Sequence, residues 1–285
     1  MTPIGSRRAG RAHRVRRCLL VAVAAVALAA CSAGSPGDRT PRPSLTVKPS
    51  VVTGGQTPPV NVHGDVVVFA AASLTGAFTE LKKDFEATYP GVTVKLSFGA
   101  SSTLAQNLIQ GAPADVFASA AVVNMKQAQK AKAAKASTIF ARNVMQIAVS
   151  PKTKAHITSL ADLAKPGVTV ELCEKQVPCG AVAQEALKNA GVNLTPKTYG
   201  ADVKAVLTSV QLGEVDAGIV YVTDVEAAGG KVRGVTIPPA QNASTDYPIA
   251  LTTDAPNPAA GQAFIDEVLS AQGQQVLARA GFEKP

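Results

Sequence analysis

Four short stretches set small or hydroxyl-bearing residues where a helix begins: Ala72-Ser73, Ala100-Ser101-Ser102-Thr103, Cys179-Gly180 and Asp202-Val203. A helix start presents N–H groups without intrahelical partners and a partial positive charge, so each is an oxyanion site in outline. None of the four contains Lys or Arg. Four such starts at roughly half a charge each amount to about two positive charges, enough to face a dianion without a side-chain cation. Ser, Thr and Asp cap helices in every fold, so any one of these loops alone is ordinary. Their combination is not. Tyr221, at the end of an apolar strand, adds one further hydroxyl; a Tyr there can also serve packing alone. Asp202 is the acid adjoining these loops, and at a helix start it reads as a cap turned away from an anion.

Other chemistries are poorly supplied. A serine hydrolase needs a base beside Ser73 or Ser101, and His156 is the histidine left in the folded part, since His13 lies in the leader and His63 in the tether. No Gly-x-Ser-x-Gly elbow occurs. No group of His, Cys and Asp has the spacing of metal ligands. A lipoprotein of structural or adhesive role is the third class, distinguished by indifference to every oxyanion.

The elements that must hold these residues alternate between strand and helix. Val66-Val67-Val68-Phe69 reads as a buried strand, and Leu74, Ala77, Phe78, Leu81 and Phe85 recur at helical spacing until Tyr89-Pro90-Gly91. With no room for a long loop between them, Ser73 falls at the helix N-cap. Val92–Phe98 alternates as a strand before a helix opened by Ser101 and stopped by Gly111. Strands follow at Asp115–Ala118, Val144–Val149, Val168–Cys173, Ala217–Val222 and Tyr247–Thr252, with helices from about Val122, Val177, Asp202 and Ala259. Ser159-Leu160-Ala161-Asp162 has capping-box spacing. Repeated strand–helix units predict an α/β fold with parallel sheets, whose ligands bind outside the carboxyl ends of the strands.

The chain has 285 residues and 46% hydrophobic content, enough for a large core, and two lobes are expected. It has no Trp and 4% aromatics, a poor stacking surface for nucleic acid. The net charge of +8 is misplaced as a nucleic-acid signal. Six arginines precede residue 18; without them 22 of the 28 basic residues remain against 20 acidic ones. Residues 1–30 read as a signal peptide: an arginine-rich start, then an apolar run from Cys18 to Ala30 too short to span a bilayer well. Leu28-Ala29-Ala30-Cys31 resembles a bacterial lipobox, which makes Cys31 the lipidated first residue of the mature protein. Residues 31–63, with six prolines among Ser, Thr and Gly, read as that Cys and a disordered tether. Export favours oxidation, and once Cys18 and Cys31 are accounted for, Cys173 and Cys179 remain as a disulfide bracketing a ligand loop.

Five ordered motifs carry a family resemblance: Val68-Phe69-Ala70-Ala71-Ala72-Ser73-Leu74-Thr75, Ala100-Ser101-Ser102-Thr103-Leu104-Ala105, Gly111-Ala112-Pro113-Ala114-Asp115-Val116-Phe117, Val177-Pro178-Cys179-Gly180 and Gly218-Ile219-Val220-Tyr221. From about Asp65 to Pro285 the chain resembles the molybdate-binding proteins of ABC importers. The resemblance implies a type II periplasmic-binding-protein fold: two α/β lobes, residues 64–145 with 250–285 and residues 146–249, joined by two crossover strands that close on the ligand. It puts serine contacts at Ser73 and Ser101, a tyrosine hydroxyl at Tyr221, and backbone N–H contacts at Cys179 and Val203. The Cys179 position is commonly Ala in the family, a change that leaves a main-chain contact intact. The resemblance further implies molybdate or tungstate as ligand, no cofactor and no directly bound metal. It implies a membrane permease as partner, a monomer lipid-anchored outside the cytoplasm, and no enzymatic activity. Sulfate is the alternative oxyanion. Hydroxyl and N–H donors suit an anion that is fully deprotonated near neutral pH, whereas phosphate retains a proton there and wants an acceptor.

Overall fold

The computed structural model describes residues 62–285. Cys31, the signal peptide and almost all of the tether lie outside the described residues. The folded part reaches back slightly further than the sequence suggests, because the His63 carbonyl accepts from Asn257 Nδ2 at 2.8 Å and Val62 packs on the core.

The first lobe begins with the apolar run expected of a buried strand, β1 (Gly64–Ala71), which pairs in parallel with β2 (Val92–Gly99) and β3 (Val116–Ala118). Helices α1 (Thr75–Thr88) and α2 (Ser101–Ile109) connect them, and α3 (Val122–Lys130) follows β3. The apolar stripe of α1, Ala77, Phe78, Leu81 and Phe85, is buried as its helical spacing requires. Phe78 and Phe85 each meet Phe264 of α7 (Pro258–Leu269) edge-on, at 5.8 and 5.4 Å between ring centres. With α8 (Ala271–Arg279), that C-terminal helix closes the first lobe.

Two long strands then cross between lobes. β4 (Thr138–Val149) pairs antiparallel through Thr138–Val144 with β9 (Ser244–Leu251), and through Met145–Val149 with β7 (Ala217–Tyr221). β9 in turn pairs antiparallel with β3. The order β2-β1-β3-β9-β4-β7, continued by β5 (Val170–Cys173) and β6 (Thr198–Gly200), thus runs through both lobes, with β8 (Arg233–Thr236) beside β4. In the second lobe β5 pairs in parallel with β6 and β7, and α4 (Pro178–Asn189), α5 (Val203–Leu212) and α6 (Val222–Ala228) follow their strands. Gly213 ends α5 in the left-handed region at φ 73°, a conformation that costs glycine little.

Each lobe has its own apolar core. That of the first lobe gathers β1, α1, α7 and α8 with Phe140, Tyr247 and Ile249, beside a smaller cluster of α2 and α3 around Phe117; that of the second gathers β5, β7, α4 and α5 with Met145. Ala72 and Ala100 of the first lobe pack into the core of the second. The lobes are therefore shut against each other at the two serine loops.

Candidate functional site

Where the lobes meet, one small cavity is lined by Ser73, Ser101, Cys179, Val203 and Tyr221, together with Ala71, Ala72, Ala100 and Asp202. All five residues singled out by sequence face the same space. Its volume of about 20 Å³ is little more than the 10–15 Å³ or so that one water needs.

The first lobe contributes two hydroxyls. Ser101 is the first residue of α2, where the sequence puts it. Its oxygen accepts the Ala120 N–H at 2.9 Å, and a backbone N–H cannot reverse, so the Ser101 hydrogen stays available to a ligand. Ser73 departs from expectation. It does not cap a helix: residues 72–74 form a 3-10 turn entered from Ala71, and α1 starts only at Thr75. The capping role is displaced because the Ser73 hydroxyl is turned instead to Tyr247 Oη, 2.7 Å away. Of the four loops, three are true α-helix starts and the first is a tighter turn.

The second lobe contributes N–H groups and a phenol. In the first turn of α4, Gly180 and Ala181 both donate to the Val177 carbonyl at 3.1 Å. Asp202 caps α5 as expected, its Oδ1 accepting from Lys204 N and Ala205 N at 2.8 and 3.0 Å. The hydrogen bonds of the described residues use the N–H of neither Cys179 nor Val203, and both residues line the cavity. Cys173 and Cys179 are disulfide-bonded, tying the end of β5 to the start of α4. Tyr221 is 1% exposed, and among the described residues its hydroxyl has no hydrogen-bond partner. A buried donor without a partner is uncommon in a folded protein and calls for an explanation.

Sequence reasoning missed two neighbours. Asp224, fully buried at the start of α6, accepts the Tyr221 N–H at 3.1 Å and pairs with Lys204 Nζ at 2.8 Å. Asp202 is therefore not the sole acid near these loops. Burial raises the Asp224 carboxyl above its ordinary pKa and Lys204 opposes that rise. Tyr247 was read only as the start of a strand. Its side chain is wholly buried, and burial pushes its hydroxyl pKa upward, as it does for Tyr221, where the nearby Tyr247 and Asp224 add to the rise. Both phenols thus keep their hydrogens. The sign in the sequence is a polar run, Ser244–Asp246, leading into the apolar strand at Tyr247. His156 is exposed on a loop and does not line the cavity.

Two lobes joined by paired crossover strands, shut over a cavity whose side-chain hydroxyls and free N–H groups all donate, define a solute-binding protein. Residues 66–283 match the model of the bacterial extracellular solute-binding proteins, and the chain belongs to that family. It is 41% identical over 221 residues to the molybdate-binding protein ModA of Mycobacterium tuberculosis (strain H37Rv), covering 77% of this chain and 85% of the relative. The fold resembles the Azotobacter vinelandii periplasmic molybdate-binding protein, with a TM-score of 0.70, 18% identity, and coverage of 77% of this chain and 99% of that one. It also resembles the sulfate-binding protein SubI of Mycobacterium tuberculosis H37Rv, with a TM-score of 0.69, 21% identity, and coverage of 78% and 87%.

Proposed function

We propose that this protein captures molybdate, and tungstate with it, outside the cytoplasm and delivers the ion to the permease of an ABC importer. One observation carries the reading: the small cavity between the lobes is lined by groups that donate, with the unpaired Tyr221 hydroxyl among them. Ser73, Ser101 and Tyr221 supply hydroxyl hydrogens, and Cys179 and Val203 supply N–H groups. Three α-helix starts add about one and a half positive charges in a site without a facing cation. A fully deprotonated tetrahedral dianion meets those donors without needing an acceptor. The ion serves as cargo, and no bond is made or broken.

The two lobes, residues 64–145 with 250–285 and residues 146–249, swing about β4 and β9 to admit and hold the ion. Cys31 anchors the monomer to the membrane surface through the tether. Cys31→Ser should shift the protein into the soluble fraction with ligand binding intact; retention in the membrane fraction would count against lipidation.

Calorimetric titration with molybdate, tungstate, sulfate and phosphate in parallel tests the function. Molybdate and tungstate should bind alike and far more tightly than phosphate. Sulfate offers the same acceptors on a smaller ion. Tighter binding of sulfate than of molybdate would replace this reading, and no binding of any oxyanion would end it.

A further inference from the structure

Behind the cavity, four polar side chains run from the first lobe to the second through both crossover strands. Tyr247 Oη on β9 lies 2.7 Å from Ser73 Oγ. Asn143 Nδ2 on β4 lies 3.4 Å from Tyr247 Oη and 2.9 Å from Thr223 Oγ1 on α6. All four residues are buried, Asn143 and Tyr247 completely.

The direction of this chain is set at one end. The Val144 N–H donates to Asn143 Oδ1 at 3.0 Å, which turns the amide oxygen to the backbone and its NH2 to the two hydroxyl oxygens. An amide NH2 only donates. Tyr247 Oη accepts from Asn143, and among the described residues Ser73 Oγ is the acceptor left for its own hydrogen. Ser73 accepts that bond and is left with a hydrogen that no other group of the described residues receives. The open direction for it is the cavity that Ser73 lines.

We infer that Tyr247, oriented by Asn143, is a positioning residue that makes Ser73 a donor to the captured oxyanion and sets the site against oxyanions that carry a proton. The inference rests on the oxyanion reading above and adds a residue that does not touch the ligand. A protonated oxyanion brings an O–H that needs an acceptor. To accept it Ser73 must turn its own hydrogen away from the ligand, and Tyr247 Oη beside it can take that hydrogen only by turning its own away from Ser73, toward the NH2 donor of Asn143. Among buried groups such an unmade bond is costly. Ser101 is held in the same sense by the Ala120 N–H. The two serines thus reach one polarity by different means, a backbone donor for Ser101 and a two-step side-chain relay for Ser73.

Tyr247→Phe removes the hydroxyl and keeps the ring that packs edge-on against Phe140, Phe282 and Tyr221, so its melting temperature should stay near that of the parent. Titration of the variant with molybdate should show affinity lower by about three- to ten-fold, the range for one lost neutral hydrogen bond. Phosphate at the same pH should compete against molybdate better in the variant than in the parent. In a Ser73→Ala background, adding Tyr247→Phe should change molybdate affinity by less than about two-fold, because the relay then has nothing to orient. Additive losses in the double variant, or no gain for phosphate, would overturn the proposal. Ser73→Ala with full molybdate affinity is a separate failure: it would remove the oxyanion site itself and the relay with it.

Discussion

At the residue scale, the site works by keeping hydrogens on oxygens and aiming them inward. Ser101→Ala or Tyr221→Phe should each cost about 1.5–3 kcal/mol of molybdate binding, the range for a hydrogen bond to a charged partner. The ligand-free melting temperature should barely move in Tyr221→Phe, whose hydroxyl has no partner among the described residues, and should fall in Ser101→Ala, which leaves the buried Ala120 N–H unpaired. Calorimetry on both variants checks this, and unchanged affinity in both would dismiss the assignment. A pH dependence follows from the phenols. Burial raises the pKa of Tyr221 and of Tyr247 above the ordinary value for tyrosine. A raised folded-state value means the protonated, donating form survives above pH 10, near which free tyrosine titrates. Molybdate affinity should therefore stay level from about pH 7 to about pH 10. A fall centred below pH 10 would show that Tyr221 is in contact with water when the ligand is bound.

At the element scale, the loop between β5 and α4 is the most constrained part of the site. A Cβ on Gly180 would meet the Glu174 carbonyl oxygen at 1.9 Å and the Cys173 oxygen at 2.8 Å. Gly180→Ala must therefore push the 174–178 segment off the start of α4, at the 1–3 kcal/mol or so typical of overpacking. Because Cys179 is on that turn, the variant should lose molybdate affinity as well as melting temperature. The disulfide restrains the same segment. A ring this small contributes only ~2 kcal/mol by chain entropy, so its larger effect is to hold the Cys179 N–H in place before the ion arrives. Reduction should weaken molybdate binding more than it lowers the ligand-free melting temperature; the reverse order would make the bond a stability staple alone. Most of the long elements were legible because their apolar periods are long: β1, α1, α2, α4, α5 and the C-terminal helices stand within a few residues of where their patterns put them. The misses have separate causes. β6 and β8 have three and four residues, too few for a period to register. α6 follows β7 without a break, and its opening Val222-Thr223 continues the β-branched run, so the strand reads one residue too long. Ser73 reads as a cap because hydroxyls usually cap. Its partner, Tyr247, lies 174 positions away, and no local pattern shows that.

At the scale of the whole molecule, closure is what joins two separately cored lobes into one binding device. Each lobe has its own apolar cluster, and Ala72 and Ala100 cross to pack against the other lobe beside the cavity. An ion in that cavity touches the 72–74 turn and α2 on one side and α4, α5 and Tyr221 on the other. It therefore binds the shut form and not the open one, and its affinity is added to whatever the lobes gain by meeting. Ligand that binds only the folded, shut state stabilises it by about 2.7 kcal/mol at a hundred times its dissociation constant. For a folded part of this size that corresponds to a rise of roughly 5–11 °C in melting temperature. Both lobes should take part, because each supplies contacts. Scanning calorimetry with and without molybdate should then show either one transition that moves as a whole or two that both move upward. A scan in which one lobe's transition rises while the other stays fixed would mean that the ion is held by a single lobe, and the hinge closure drawn from β4 and β9 would fall with it.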